Sequence, residues 1–285
     1  MIPQRNISIL SNRLARAGGR RIPEAVLERD YCLAWFLIGL SRTRLCKQLV
    51  FKGGTALKRC YFGDYRFSED LDFSLADEMP LDAILTGLED VYNEVRRASG
   101  IAFRYSRADR MKHLNSHTFY LAYEGPLPTV SLKEVKVDIT INERFVCPIR
   151  TCTILQGYDE YADLPGGHSI NVYSLGEICV EKIVALTDRA RNEPRDLYDF
   201  WYLTSEKHID LAMLIPEIYS KLEFRGRDPG TIGADFENKE ARYRKLWSTR
   251  LNTQMAVLPP FDKIFRSVRR TMKSAGLFGG DESGG

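Results

Sequence analysis

The sequence predicts an α+β fold, in which an N-terminal part with a mixed sheet precedes a helical C-terminal part. Residues 69–75 and 134–143, with the sequences EDLDFSL and EVKVDITINE, alternate apolar and polar side chains as half-buried strands do. Apolar residues between positions 23 and 40 recur at helical spacing instead. Beyond residue 165 the strand pattern ends, and helical patterns continue to about residue 275. Strands and helices are therefore expected to be segregated along the chain.

The elements of the N-terminal part follow in order. A helix over 23–40 has Pro23 near its start, and a strand over 48–52 runs into the glycines of KGGT. A short helix then extends to Gly63, whose place is typical of a helix-terminating glycine. The remaining predicted elements are the strand at 69–75, a helix at 81–98, and strands at 101–106, 117–125 and 134–143.

The C-terminal part begins with two helix-start signals. Ser174 is followed three residues later by Glu177, the pattern of a capping box. Pro194 stands at a first-turn position of the next predicted helix. We therefore expect three regions: a core with an N-terminal helix over 1–165, a helical domain over 166–275, and a disordered tail over 276–285, GLFGGDESGG.

The composition is that of a globular protein with a full core. The chain has 285 residues, of which 44% are hydrophobic. Its most apolar run, YCLAWFLIGL at 31–40, is too short to span a bilayer, and the first residues lack the pattern of a secretory signal. Six cysteines are scattered without a C-x-x-C pair, which favours reduced thiols. These features predict a cytoplasmic protein with no membrane partner.

Basic residues are concentrated at the two ends of the chain, although the net charge is only +3. Residues 239–273 contain ten lysines and arginines against Glu240 and Asp262, a local charge of +8. The N-terminal arm adds further cations, namely Arg5, Arg13, Arg16, Arg20 and Arg21. This distribution indicates either a polyanionic partner or an ordinary solvated helix face.

Two predicted strands carry carboxylates suited to a hard metal ion. Residues i and i+2 of a strand share a face and lie about 6.5–7 Å apart, so Asp70 and Asp72 point the same way. Asp138 likewise lies on the polar face of the alternating strand at 134–143. Carboxylates held together repel one another unless a cation lies between them. Because Mg²⁺ prefers oxygen ligands, we expect the three to converge on one metal site if their strands are neighbours.

The KGGT turn offers the complementary half of a nucleotide site. Gly53 and Gly54 would let backbone N–H groups approach an anion, and the helix that follows presents its positive end. Such a turn by itself is more often a tight bend than a phosphate site. Its occurrence before the Asp-x-Asp strand makes the phosphate interpretation stronger. Arg66 is placed to reach a phosphate. Ser68 is placed to order the loop, to contact the nucleotide or to act as a phosphorylation site.

Five segments together resemble the AbiEii/MenT family of nucleotidyltransferase toxins, within the DNA polymerase β-like superfamily. They are FKGGTAL, RFSEDLDF, VKVDI, EKIVAL and RDLYDF, and they occur in the family's order between about residues 25 and 205. The resemblance implies a polymerase β-like nucleotidyltransferase core. It places the metal ligands at Asp70, Asp72 and Asp138, with Lys182, Asp196 and Asp199 as further catalytic residues. The expected nucleotide contacts are Lys52, Gly53, Gly54, Thr55, Arg66, Ser68 and Lys136.

The function implied by the resemblance is the transfer of nucleotides from NTP to the 3′ acceptor end of tRNA. The transfer would depend on Mg²⁺ (or Mn²⁺) and would block aminoacylation and translation, with a cognate antitoxin as partner. Transfer to a small molecule or a protein is an alternative, because one core serves many acceptors. A catalytically silent module that binds RNA or an antitoxin is another alternative.

Several residues of the helical part are also candidates for function. Lys182 is predicted on the solvent-facing side of its helix, either to neutralise phosphate or as a surface lysine. Asp196 and Asp199 share one helix face. At position 177 this chain has glutamate where the family often has histidine, and the capping box accounts for that residue. A basic stripe is expected to contact the RNA backbone through Arg266, Arg269, Arg270 and Lys273.

Overall fold

The computed structural model describes residues 1–17, 19–111, 114–128 and 131–278, which form two compact units. The first, here called the sheet unit, comprises Met1–Glu143, Ile149–Tyr173 and Thr253–Ala256. The second, called the helical unit, comprises Arg144–Pro148, Ser174–Asn252 and the chain from Val257 onward.

A seven-stranded sheet organises the sheet unit. Its strands are β1 (Leu49–Lys52), β2 (Leu71–Leu75), β3 (Ala102–Ala108), β4 (Ser116–Glu124), β5 (Glu134–Thr140), β6 (Ile149–Thr153) and β7 (Ser169–Tyr173). The strand order is β3-β4-β5-β2-β1-β7-β6. The β2–β5 and β1–β7 pairs are parallel and the others antiparallel, so the predicted mixed sheet is confirmed. The sequence patterns did not predict β6 and β7.

The sheet unit also contains four helices: α1 (Gln4–Arg16), α2 (Glu24–Ser41), α3 (Gly53–Ala56) and α4 (Leu81–Ser99). The predicted helix at 23–40 is confirmed as α2, which is buried over most of its length and contacts α1, α4 and β7. The helix α3 continues as a π-helical turn over Leu57–Tyr61. Gly63 does not terminate it, because the bond from the Phe62 N–H to the Leu57 carbonyl (2.8 Å) closes the helix first. Gly63 also lacks the positive φ of a helix-terminating glycine.

Within the described residues, the helical unit contains six α-helices: α5 (Leu175–Thr187), α6 (Pro194–Trp201), α7 (Ile215–Phe224), α8 (Ile232–Glu237), α9 (Glu240–Leu251) and α10 (Phe261–Ser274). The two helix starts are confirmed: the Ser174 hydroxyl accepts the Glu177 N–H, and Pro194 lies in the first turn of α6. The helices α7 and α8 contact α5, whereas α9 and α10 contact α6. Of the predicted tail, Leu277 is buried, and residues 279–285 lie outside the described residues.

The strand alternation gives the sheet two chemically different faces. One face is apolar and buried, with Phe51, Phe73, Val137 and Ile139 in the core. The other face carries the polar residues between them, and these include the predicted site residues of β1, β2 and β5. All six cysteines are free thiols, as predicted. No helix in the described part of the chain combines the length and apolar character needed to cross a membrane.

Candidate active site

Four polar residues form a row across the polar face of the sheet, one from each of four adjacent strands. Lys52 of β1 pairs with Asp72 of β2, Asp72 pairs with Asp138 of β5, and Asp138 pairs with Thr118 of β4. Residues paired in register project from the same face of a sheet. The strands that carry Asp72 and Asp138 are therefore neighbours, as the predicted metal site requires.

Hydrogen bonds hold both ends of this row. The Thr118 hydroxyl donates to Oδ1 of Asp138 at 2.6 Å. At the other end, Nζ of Lys52 donates to the Thr140 hydroxyl at 2.8 Å and lies 3.7 Å from Oε2 of Glu143. Asp72 and Asp138 are half-buried between these ends. The row thus presents two oriented carboxylates flanked by a cation and a hydroxyl.

The glycine turn lies directly against the row. Gly53 has a φ of +78°, and a Cβ at this position would overlap Oδ2 of Asp72. A Cβ on Gly54 would lie 2.6 Å from Nη2 of Arg66 and 3.1 Å from Oγ of Ser68. Both glycines are therefore required for space, and Gly53 is also required for its backbone conformation. The structure brings the predicted turn and one predicted metal ligand into contact.

Thr55 fastens the turn to the residue that precedes β2. Its buried hydroxyl donates to the main-chain carbonyl of Asp70 at 2.5 Å. This bond fixes Asp70 relative to the start of α3. Thr55 thus joins the glycine turn to the start of β2, the strand that carries Asp72.

Arg66 and Ser68 are both buried, with relative exposures of 4% and 6%. Nη1 of Arg66 donates to the Phe67 carbonyl at 3.2 Å and to Oε1 of Gln254 at 2.9 Å. Arg66 thus braces the loop behind Gly54. Ser68 is buried in this structure, and its roles as a nucleotide contact or a phosphorylation site stay predictions.

Lys136 adds a second cation to the same face. It lies on β5 two residues before Asp138, opposite Tyr120 of β4. Within the described residues it has no ion-pair partner, and its side chain is half-buried. Lys136 is therefore available to bind a negatively charged group above the sheet.

The carboxylates form a pair in this structure, and the predicted convergence of three is not found. Among the described residues, no group of three or more His, Cys, Asp or Glu side chains is arranged to hold a metal ion. Asp70 precedes the first paired residue of β2, whereas Asp72 and Asp138 are paired with each other. A pair of carboxylates nevertheless suits Mg²⁺, which usually takes one or two from the protein and completes its shell with phosphate oxygens and water.

Lys182 occupies a different environment from the one predicted. It is buried, and its Nζ lies 2.7 Å from Oδ1 of Asp196 and 2.6 Å from Oδ2 of Asp199. The prediction that it lies on the solvent-facing side of its helix is therefore wrong, because α6 packs against that side of α5. The predicted residues Lys182, Asp196 and Asp199 do come together, as a buried ion-pair cluster within the helical unit.

Asp196 is the most strongly perturbed member of this cluster. Burial raises its pKa, but the charges of Arg191 and Lys182 outweigh burial and hold the pKa well below its ordinary value. Nε of Arg191 donates to Oδ2 of Asp196 at 2.6 Å. Asp196 is thus ionised at neutral pH. Asp196 does more than stabilise a helix dipole, because it is the shared acceptor of two cations.

A second buried cluster forms around Glu177 and was not predicted. Oε2 of Glu177 accepts the N–H groups of Val146 at 2.9 Å and Cys147 at 2.6 Å, while Oε1 accepts Nζ of Lys221 at 2.7 Å. The interpretation of Glu177 as a capping-box glutamate is wrong for its carboxylate, which binds these groups and not the N-cap amide. A lone lysine within α7 gives no sequence signal of such a partner.

The predicted basic stripe is exposed on α10. Its helix buries Phe261, Ile264, Phe265, Val268 and Met272, and Arg266, Arg269, Arg270 and Lys273 lie on the opposite side. Arg269 forms an ion pair with Glu237 at 2.6 Å. The surface that the stripe prediction requires is therefore present, and part of its charge is neutralised locally.

The sequence matches a family model described as "Nucleotidyl transferase AbiEii toxin, Type IV TA system" over residues 35–267. The chain belongs to this family. A comparison with curated protein sequences gave no match. Among solved structures, the chain is similar to MenT4, a nucleotidyltransferase toxin from Mycobacterium tuberculosis H37Rv, with a TM-score of 0.58 and 19% identity. The similarity covers 96% of this chain and 90% of MenT4, and at this identity it shows the fold.

Membership in the AbiEii family confirms several of the predictions. The chain is a nucleotidyltransferase toxin of a type IV toxin–antitoxin system, and its α+β fold is that of a nucleotidyltransferase. A nucleotide substrate and an antitoxin partner are implied by that membership. Thr118, which orients Asp138, was not among the predicted site residues. The alternation of β4 places it on the polar face, but the sequence does not reveal which residue of β5 it opposes.

Proposed function

We propose that this chain transfers nucleotides from NTP to the 3′ acceptor end of tRNA in a reaction that depends on Mg²⁺ or Mn²⁺. The observation that carries the proposal is the contact between the Gly53 turn and Asp72, within a row that also contains Asp138 and Lys52. A turn with room for a phosphate, next to a pair of carboxylates, suits a triphosphate and the cation that accompanies it.

The residues of the row would divide the work between binding and orientation. Asp72 and Asp138 would hold the cation. When bound, a divalent ion supplies charge neutralisation for the phosphates and activation of the attacking hydroxyl. The Thr118 hydroxyl keeps Asp138 in one orientation, because it donates to a single oxygen of that carboxylate. Gly53 and Gly54 leave room for phosphate oxygens next to Asp72.

The reaction itself asks little covalent chemistry of the protein. The acceptor hydroxyl attacks the α-phosphorus of NTP, a new P–O bond forms, and pyrophosphate leaves. Positioning and charge neutralisation provide most of the acceleration in such transfers. Lys136 and Lys52 are two cations of this face, and they would offset the charge of the triphosphate. No nucleophilic side chain is needed.

One feature supports a tRNA acceptor for the transferred nucleotide. The four exposed cations of the α10 stripe present positive charge to solvent, which suits a phosphate backbone. Toxicity would then follow from acceptor ends that can no longer be aminoacylated.

The proposal is tested by substituting one carboxylate of the row. The isosteric change Asp72→Asn preserves the space that Gly53 requires but removes the charge. Losing one fixed electrostatic stabiliser typically costs on the order of 10²–10³ in rate, and loss of the cation should cost more. Purified protein, labelled NTPs and total tRNA would be incubated with and without EDTA, and label in the tRNA band would be measured.

Asp77→Asn is the matched control, since Asp77 is exposed and lies two residues after β2. We expect this variant to transfer label like the wild type. Full transfer by Asp72→Asn, or label that appears in protein or small molecules and never in tRNA, would refute the proposal.

A further inference from the structure

Beyond the row, the polar face of the sheet carries an arginine stacked on a tyrosine. The guanidinium carbon of Arg107, on β3, lies 3.7 Å from the ring centroid of Tyr120, on β4. Tyr120 in turn donates from its hydroxyl to Oδ2 of Asp109 at 3.1 Å. This pair, here called the Arg–Tyr stack, has no part in the carboxylate row.

A β-bulge brings Arg107 to this face. The β3–β4 register shifts between Tyr105 and Arg107, so that Tyr105 opposes Leu121 and Arg107 opposes Tyr120. Without the additional residue, Ser106, simple alternation would place Arg107 on the apolar face with Phe103 and Tyr105. Bulges of this kind re-aim a side chain and occur beside active sites. The fold therefore directs Arg107 to the face that carries Asp138.

The plane of Arg107 is fixed by a carboxylate. Nε and Nη2 of Arg107 donate to the two oxygens of Glu134 at 3.1 and 2.9 Å, and the Ser106 hydroxyl donates to Oε1 of Glu134 at 2.7 Å. The bidentate pair neutralises the guanidinium charge and holds it flat. The Arg107 side chain is still 46% exposed. A neutralised, planar and exposed group is better suited to stacking with a ring than to binding phosphate.

The Arg–Tyr stack lies close to the carboxylate pair. Tyr120 is two residues along β4 from Thr118, whose hydroxyl binds Asp138. Two residues of a strand span about 7 Å, which is the length of about one nucleotide. The stack and the glycine turn lie on opposite sides of Asp138 in the strand order, because β4 and β3 follow β5 on one side and β2 and β1 on the other.

We propose that the Arg–Tyr stack is the platform on which the terminal nucleobase of the acceptor strand stacks during transfer. The proposal rests on the proposed function and names the site that receives the acceptor. An acceptor whose last base rests on Arg107 would place its hydroxyl towards Asp138, while the triphosphate lies at Gly53. Stacking is tolerant of sequence, since every base has a planar face.

The test measures base stacking directly and needs no transfer. A short RNA hairpin with a single-stranded 3′ end would carry 2-aminopurine, whose fluorescence falls when it stacks, as its last base. Without NTP, we expect wild-type protein to quench this fluorescence. Arg107→Lys keeps the charge but loses the plane, and Tyr120→Leu removes the ring, so both should abolish quenching and weaken binding on the order of 10-fold.

Two variants serve as matched controls. Tyr120→Phe keeps the ring and should quench like the wild type. Arg97 is an exposed arginine paired with Glu94 on α4, outside the polar face, so Arg97→Lys should leave quenching unchanged. If Arg107→Lys binds and quenches like the wild type, the residue acts only through its charge and the platform is refuted.

The same variants distinguish the two possible sources of the base. If 2-aminopurine riboside triphosphate, and not the RNA, is quenched in a manner that depends on Arg107, the stack holds the incoming nucleotide and the acceptor assignment is wrong. Quenching of the RNA in a protein that transfers no nucleotide would support the platform and refute the proposed function. The two ideas can thus fail separately.

Discussion

Lys58 is a buried cation on the π-helical turn that follows the glycine turn. Its Nζ donates to the carbonyls of Gly63 and Tyr65 at 3.2 and 3.1 Å and to the Tyr158 hydroxyl at 3.1 Å. It also lies 4.2 Å from the ring centroid of Phe67. Burial lowers the pKa of Lys58 to about 8. The residue therefore anchors the turn that supports the site, at an electrostatic cost near neutral pH.

This cost predicts a pH dependence of stability. Between pH 8 and 10.5 the unfolded chain binds more protons than the folded chain at this residue, so its contribution to the free energy of unfolding rises with pH. Lys58→Met removes the contribution. We expect the wild type to gain stability relative to this variant as the pH rises, by at most about 1.4 kcal/mol per pH unit.

Urea unfolding at pH 7.5, 8.5 and 9.5 measures this difference. Lys47→Met is the control, because Lys47 is exposed in the same unit and its variant should show no such trend. A constant difference between wild type and Lys58→Met across the three pH values would mean that Lys58 remains charged in the folded protein.

At the scale of elements, alternation and spacing predicted the site-bearing strands correctly. The patterns of 69–75 and 134–143 place Asp72 and Asp138 on the polar face, and both strands form. What the patterns lack is register, since the pairing of Asp138 with Thr118 depends on contacts between distant segments. The strand β6 was missed because its sequence, IRTCT, is largely exposed and has no apolar alternation.

Helix α5 shows a second limit of sequence patterns. Helical spacing shows which residues share a face with Lys182, but burial of that face depends on α6, which packs against it. The counter-charges Asp196 and Asp199 were identified as a pair on one face. Their bond to Lys182 could not be read from the sequence, because the packing of two helices decides it. Variants of this cluster therefore test whether Lys182 stabilises the α5–α6 pair or binds phosphate.

We predict that Lys182→Met destabilises the α5–α6 pair. Removing one partner from a buried ion pair leaves uncompensated charge, at a typical cost of about 3–5 kcal/mol. The double variant Lys182→Met/Asp199→Leu should regain part of this loss. Because the pKa of Asp196 is depressed in the folded protein, the wild-type contribution should be full above about pH 4 and should fall at lower pH.

Urea unfolding followed by tryptophan fluorescence can measure this change, since Trp201 and Trp247 lie in the helical unit. A Lys182→Met protein that is as stable as the wild type but binds NTP weakly would contradict the structural role. That outcome would favour the sequence-based prediction that Lys182 neutralises phosphate.

At the scale of the whole molecule, the polar face of the sheet and the α10 stripe differ in charge. The polar face of the sheet carries the carboxylate row and the neutralised Arg–Tyr stack, which offer little net attraction for a long polyanion. The α10 stripe carries Arg266, Arg269, Arg270 and Lys273 on the exposed side of a helix whose buried side is apolar. We therefore expect the α10 stripe to supply electrostatic affinity for the phosphate backbone of an RNA.

We predict that changing the four stripe residues to Gln weakens tRNA binding and flattens its salt dependence. Each lost phosphate contact lowers the slope of log affinity against log salt concentration by about 0.7–0.9. The expected change in slope is about 2–2.7, from three contacts, because Arg269 is already paired with Glu237. Filter binding of tRNA at several salt concentrations measures the slope. NTP binding should be unchanged, since the glycine turn lies in the sheet unit.

The matched control replaces four exposed N-terminal arginines, Arg5, Arg16, Arg20 and Arg21, with Gln. It removes the same formal charge from the other basic end of the chain. An equal loss of affinity in both variants would show that tRNA responds only to net charge. A loss confined to the N-terminal variant would assign RNA binding to that arm. The reason is that removing a cation weakens binding only where that cation contacts the RNA backbone.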